Sequence, residues 1–413
     1  MKFSKEELSW ILYDCGNSAY SIIITTAIFP IYFTNMASIS SVHSANITAF
    51  WNYGNSIATL LIVLLSPLLG TIADYKNYKK RFFLFFSLLG ILFTVFLAFI
   101  PTSQWIIMLV FYVVTLVGFS GANIFYDSFL VDVTDDDNLD KVSANGFAFG
   151  YISSVIPFII CIILINYSKM DTLIMTQLSF IITGLWWGLL TLPMIRNVKQ
   201  KHYIEPEKKP IINSLKRLFH TIKNISKYKT IALFLLGYFF YIDGVDTIIK
   251  NAAVFGNQIG LDTTGLMIAL LLTQIVAFPF AILYGILAKK FSTRKMIIFG
   301  ILTYFIVCIM AYFMNSLMDF IILGLMIASA QGGIQALSRS YFAKIIPKKN
   351  SNEFFGFYNI FGKFAAIIGP LLIGSITLLT GDIRKAVLSL VLLFAVGLVV
   401  MIKLPETSER ANH

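Results

Sequence analysis

The amino-acid sequence predicts an all-α membrane protein of twelve transmembrane helices, arranged as two six-helix halves with both termini in the cytoplasm. Composition is the first reason. Of 413 residues, 57% are hydrophobic and only 13% charged, with a mean hydropathy of +0.79, far outside the range of soluble domains. Segment length is the second: the apolar residues fall into twelve stretches, each near the ~20 residues that one crossing needs. Charge placement is the third: 26 of the 32 Lys and Arg residues lie in alternate connectors and at the two ends, against three on the opposite side. That asymmetry assigns those connectors and both ends to the cytoplasm.

Span 1 covers 9–36. Behind Lys2, Lys5, Glu6 and Glu7 it runs roughly 27 residues to Met36, too long and too polar for a cleaved leader, so it is expected to remain as a span. Spans 2 and 3, at 48–73 and 81–100, are separated by Lys76, Lys79, Lys80 and Arg81. Spans 4 and 5, at 105–131 and 143–165, flank the acidic run TDDDNLDK, and Lys169 precedes span 6 at 173–195. The connector 196–229 carries ten Lys and Arg residues and divides the half 1–195 from the half 230–413. Within it Ile212, Leu215, Leu218, Phe219, Ile222 and Ile225 recur at helical spacing. They predict either an amphipathic helix on an anionic inner leaflet or a solvated linker helix. Spans 7, 8 and 9 follow at 230–255, 263–288 and 294–314, the last two parted by Lys289, Lys290, Arg294 and Lys295. Span 10, at 317–343, ends at Lys344, Lys348 and Lys349, and spans 11 and 12 occupy 354–379 and 385–404 on either side of Arg384.

The net charge of +11 does not point to nucleic acid, because the basic residues sit in short connectors rather than clustering on folded polar surface. The partners expected are the lipid bilayer with its anionic inner leaflet and a small-molecule solute; a monomer is expected. Cys15, Cys161 and Cys308 lie in apolar segments and the four histidines outside them, so no metal site, disulfide framework or cysteine–histidine pair is readable and no cofactor is expected. The run from Thr134 to Lys141 lacks the spacing and closing Glu of a calcium loop and reads as a solvated loop capping span 5. Gly146-x-x-x-Gly150 reads as helix packing, since no strand is available for a phosphate loop.

The chain contains an internal repeat. GANIFYDSFLVD, from Gly121, aligns with GIQALSRSYFAK, from Gly333, at an offset of 212, pairing Ser128 with Ser340 but Asp127 with Arg339 and Asp132 with Lys344. GTIADYKNYKKR, from Gly70, aligns with GILAKKFSTRK, from Gly285, at an offset of 215, and here Asp74 pairs with Lys289. A weaker match joins DCGNS, at Asp14, to DGVDT, at Asp243. Acidic in one half and basic in the other, these ends suggest a cytoplasmic gate that closes by attraction, or charges that cap their own helices or pair within their own half.

Gly70, Asp74 and the cluster from Lys79 to Arg81 resemble the loop between spans two and three of the major facilitator superfamily, with Tyr75 departing at its Arg and Asn77 at its Gly. WILYDCGNSAY, FPIYF, YDSFLVD and GFAFGYISS are similar to the autophagy-related vacuolar amino-acid effluxer family, whose bacterial members form an unknown major facilitator branch. The resemblance implies an alternating-access carrier with spans 1, 4, 7 and 10 lining a central cavity, and loosely an amino-acid substrate.

A charge at bilayer depth costs about 2.5–3.5 kcal/mol on insertion scales and normally faces a cavity or a partner. Seven qualify: Asp14, Asp127, Asp243, Asp246, Lys250, Arg339 and Lys363, all but the last on spans 1, 4, 7 and 10. Asp14, Ser18, Ser21 and Thr25 form one helical stripe with Asn17 beside it, a wet wall or a packing seam. Asp243, Asp246 and Lys250 share a face of span 7, and Asp246 with Lys250 can pair at i, i+4, whether for structure or for function. Asp243 is then the first choice for a proton-carrying carboxylate and Asp14 the second. Asn123 and Asp127 on span 4, and Gln331, Gln335 and Arg339 on span 10, repeat the pattern. Asp14, Asn17, Ser18, Asn123, Asp243, Asp246, Lys250 and Gln335 are the candidates for solute binding or proton coupling. Asp74, Asp127, Lys289, Arg339 and Lys363 are the candidates for gating, with a plain salt bridge the alternative for Lys363.

These residues favour a secondary transporter of a small polar or zwitterionic solute, possible amino acids and proton coupling included. The alternative is a passive channel or lipid scramblase. An intramembrane enzyme is disfavoured, because no histidine, metal cluster or nucleophile–base pair lies in the spans.

Overall fold

The computed structural model describes residues 3–39, 44–167, 170–205, 212–214, 216, 228–258, 261, 263–365 and 367–404. Among them twelve helices are long and apolar enough to cross a membrane, from Lys5–Ser38 to Ile383–Ile402. Most bounds lie within a few residues of the expected ones, span 8 lying in the helix Thr263–Phe291, but span 5 begins at Asp136. The expected linker helix at 212–225 falls mostly outside the described residues. Leu64, Phe99 and Leu189, each about two-thirds exposed, show the outward faces to be apolar, as contact with hydrocarbon requires.

Two compact units form. The first gathers Met1–Thr134, Phe149–Leu218 and Lys348–Gly356; the second gathers Asp135–Ala148, Phe219–Pro347 and Phe357–His413. Each thus includes a short piece, the head of span 5 or of span 11, from the other half of the sequence.

The first unit packs around stacked aromatics. Trp10 lies on Tyr126 with ring centres 4.4 Å apart and donates from Nε1 to the Tyr126 carbonyl at 2.9 Å. The second has its own stack of Phe234, Tyr341, Phe342 and Tyr358.

Span 1 is not one regular helix. The α-helix Lys5–Tyr20 gives way to a π-helical segment, Ser21–Ala27, before helix resumes at Ile28–Ile39. There the Ser21 carbonyl accepts from Thr25 Oγ1 at 2.5 Å and Thr26 Oγ1 at 3.0 Å. The stripe expected from Asp14 through Thr25 therefore loses its α-helical phase at Ser21, which is a correction to the sequence reading.

Span 11 is also divided, into Ser351–Ala365 and Ile368–Thr380. Pro370 lies in the first turn of the second piece, where its missing N–H costs no intrahelical bond.

The two repeated loops each contain a residue with positive φ, though the conformations differ, Asn77 having ψ −4° and Ser292 ψ 148°. Asn77 and Ser292, separated by the repeat offset of 215, are the described non-glycine residues with positive φ, +69° and +86°. Asn tolerates the left-handed region, which explains how Asn77 stands where the superfamily loop has Gly.

Candidate functional site

In the first unit Asp14 and Asn17 are buried on span 1, and Asn17 Nδ2 donates to Asn123 Oδ1 of span 4 at 2.6 Å. A Cβ on Gly150 would stand 2.6 Å from Ser18 Oγ, so the absence of a side chain there lets span 5 close on span 1. Ser153 Oγ and Trp186 Nε1 both donate to the Cys15 carbonyl, at 3.2 and 3.3 Å. Asp127 is half-buried near the end of span 4.

Asp74 is fully buried and caps the head of span 11. Its Oδ1 accepts from Asn352 N and Nδ2, both at 2.9 Å, and its Oδ2 from Glu353 N at 3.3 Å. A carboxylate on the free amides of a helix start is favoured by both hydrogen bonding and the helix dipole. A Cβ at Gly70 would sit 2.4 Å from the Asn352 carbonyl oxygen, so only glycine fits this approach.

Beside it Lys79 and Asp132, with side chains 0% exposed, pair at 2.6 Å. Lys79 Nζ also donates to Ser128 O at 3.2 Å and Ser351 Oγ at 3.1 Å. Asp132 Oδ1 accepts from the backbone amides of Lys201 and His202, each at 2.8 Å, so the start of the connector is tied down here. Burial pushes the Asp132 carboxyl up, but the Lys79 ammonium and the His202 and Lys79 hydrogen bonds outweigh it and hold the group below its usual value.

In the second unit Lys344 Nζ pairs with Asp140 Oδ2 at 2.6 Å and donates to Thr293 Oγ1 at 2.8 Å. Ser340 Oγ and Thr293 Oγ1 donate to the same carboxylate, at 2.6 and 2.8 Å. Asp140 therefore corrects the expectation of a solvated loop: Asp135, Asp136 and Asp137 are exposed, while Asp140 is 4% exposed and fully bonded. Sequence reading passed over it, as it passed over Ser351–Glu353. An acid or Ser-x-Glu just ahead of an apolar run is a helix-start signal that marks both places.

Arg339 is 3% exposed. Its Nε donates to Ser143 Oγ at 2.9 Å, a terminal nitrogen donates to Ser143 O at 3.1 Å, and the guanidinium lies 4.5 Å from the Phe147 ring centre. Lys289 is exposed and reaches Asn138 Oδ1 at 3.3 Å.

On span 7, Asp243 is fully buried; Gly369 N donates to its Oδ2 at 2.9 Å and Thr247 Oγ1 to its Oδ1 at 3.3 Å. It thus holds the start of the second piece of span 11. Asp246 and Lys250 form the expected i, i+4 pair at 3.6 Å, with side chains 30% and 61% exposed. Lys363, in the last turn of the first piece of span 11, lies within electrostatic range of both. Gln335 is half-buried on span 10, one turn from the buried Gln331.

A family model described as "Vacuole effluxer Atg22 like" matches residues 3–412. The chain belongs to that family. Among similar proteins, the MFS-type transporter YxiO of Bacillus subtilis (strain 168) is 52% identical over 98% of this chain and 96% of its own length. Autophagy-related protein 22 of the yeast Vanderwaltozyma polyspora is 30% identical, covering 82% of this chain and 73% of its own. The solved structure of the proton:xylose symporter XylE superposes with a TM-score of 0.78 at 10% identity, covering 98% of this chain and 96% of that one. This Atg22-like protein accordingly has the major facilitator fold of twelve spans in two six-helix halves. It is a multi-pass membrane protein of a family that carries out secondary transport and is not enzymatic.

Proposed function

We propose that this transporter carries a small zwitterionic solute, an amino acid being the simplest case, by alternating access with a proton as coupling ion. The observation that carries the reading is the Asp246–Lys250 pair: opposite charges 3.6 Å apart on span 7, both partly exposed. Charges at that depth are tolerated where they face protein or water rather than lipid. A zwitterion supplies the complement of each, an ammonium for Asp246 and a carboxylate for Lys250. In the first unit Asp14 and the Asn17–Asn123 pair supply an acid and neutral hydrogen-bonding groups on spans 1 and 4.

Asp243 gives the proton a mechanical consequence. A proton on its carboxyl removes the charge that complements a helix start and loosens the grip on Gly369 N, so the second piece of span 11 responds. With both termini in the cytoplasm, the Lys79–Asp132 and Lys344–Asp140 clusters are gate elements remade in each cycle. Asp127 and Arg339 serve the same gate.

Counterflow in proteoliposomes against an amino-acid panel, with internal pH recorded, tests the reading. Saturable exchange is expected, lowered by Asp246→Asn and Lys250→Met, while Asp243→Asn retains exchange and loses proton-driven accumulation. Flux that never saturates would instead identify a passive channel or scramblase.

A further inference from the structure

Behind the charged face of span 7 the second unit holds a cavity of about 80 Å³. Among the described residues its wall comes from spans 7 to 12 and contains no charged residue; most of it is Ile, Leu, Val, Phe, Met and Ala. Asn251, Thr273, Gln274 and Gln331 are its hydrogen-bonding members. Two of these are spoken for: Asn251 Nδ2 donates to Thr247 O at 2.9 Å and Thr273 Oγ1 to Ala269 O at 2.8 Å.

Gln331 differs. It is 3% exposed, lines the cavity, and its carboxamide bonds to none of the described residues. A buried carboxamide offers two N–H donors and a carbonyl acceptor, and such groups are normally satisfied. The volume is that of nearly three waters at ~30 Å³ each, or of a short branched hydrocarbon group.

We propose that this cavity binds a neutral, mainly apolar group that ends in one hydrogen-bonding function, with Gln331 as its polar anchor. The uncharged character of the described wall disfavours ionic groups, and Gln331 selects an end that both donates and accepts, such as a carboxamide or hydroxyl. Two sources share this chemistry: the uncharged end of the transported solute, which rests on the transport reading above, or a free neutral amphiphile that stays in the second unit. The position of Asn251, next to Lys250 on span 7, sets the cavity beside the charged pair and suits the first source.

Isobutyramide, a branched alkyl group on a carboxamide, is the probe. Titrated into the purified full chain, it is expected to raise the melting temperature saturably and give a saturation-transfer NMR signal. Gln331→Leu should weaken binding about tenfold, the cost of one lost hydrogen bond. Ala311→Leu, which fills the cavity, should abolish it while the protein still melts cooperatively. If Ala311→Leu does not fold, Ala252→Leu makes the same test. Competition between isobutyramide and solute in counterflow assigns the cavity to the solute path; binding without competition assigns it to a separate ligand. Because binding is read without transport, failure of transport leaves the site standing. Absence of saturable binding to folded wild type, or equal binding to all variants, overturns it.

Discussion

The Lys79–Asp132 and Lys344–Asp140 clusters are repeat copies built with opposite charge. In the first unit Ser128 Oγ donates to Asn352 Oδ1 at 2.5 Å. In the second, Ser340 Oγ donates to Asp140 Oδ1 at 2.6 Å. Each member lies 212 residues from its counterpart, so the same hydrogen bond is made twice with the two strands of the repeat exchanged. The differences are chemical. Asn352 stands where the other copy has Asp140 because Asp74 already brings a carboxylate to Asn352, and a second would repel it. The cation comes from the start of span 3 in one copy and the end of span 10 in the other. The first copy is dry, with both charges 0% exposed, and the connector's amides cover it; the second retains 16% exposure at Lys344. Geometry is what duplication preserved, and charge was free to change as long as each cluster stayed complementary.

The largest expected effect breaks the dry copy. Lys79→Met leaves the Asp132 carboxylate buried without its cation, and thermal melting of the purified protein should show a loss of about 3–5 kcal/mol. Asn352→Asp, which makes the copies alike, removes the side-chain donor to Asp74 and sets two carboxylates together; a loss of about 2–3 kcal/mol is expected. Lys344→Met in the wetter copy should cost less, about 1–2 kcal/mol, and an equal or larger loss than Lys79→Met would contradict the contrast.

Acid probes the dry copy more gently. The folded Asp132 carboxyl is held below its ordinary 3.8, so its contribution is present above that value and lost as pH falls through the lowered one. Melting temperature followed below about pH 4 should fall more steeply in wild type than in Asp132→Asn. Smallest of all, Lys289→Ala removes an exposed contact and should change stability by less than about 0.5 kcal/mol.

The twelve spans and the repeat were legible because hydrocarbon imposes length and polarity on every crossing, and duplication leaves Gly70 and Gly285, or Ser128 and Ser340, in register. The Asp246–Lys250 pair followed from helical spacing alone. What hid from sequence were contacts set by tertiary approach. Asp140 looked like part of an acidic loop because its helix-start position does not reveal its partners; Lys344, Ser340 and Thr293 arrive from elsewhere in the chain. Asp243 read as the less neutralised acid of span 7 because its partner is a backbone amide at the start of the second piece of span 11, and amides leave no mark in sequence. The π segment escaped because Ser21 and Thr25 fit a regular stripe equally well on paper.

That segment also fixes which edits span 1 can absorb. A π turn holds one residue more than an α turn, so Ser21–Ala27 carries a surplus residue between two α-helical pieces. Deleting Thr26, which is exposed, lets the two pieces join as continuous α-helix with Trp10, Tyr13 and Asn17 on one side and Phe29 and Phe33 on the other still facing their present neighbours. Deleting Cys15 instead turns everything before it by a little over a quarter of a revolution against the rest, about 100°. In span 1 the place where a residue can be dropped without rotating the helix is written into the backbone.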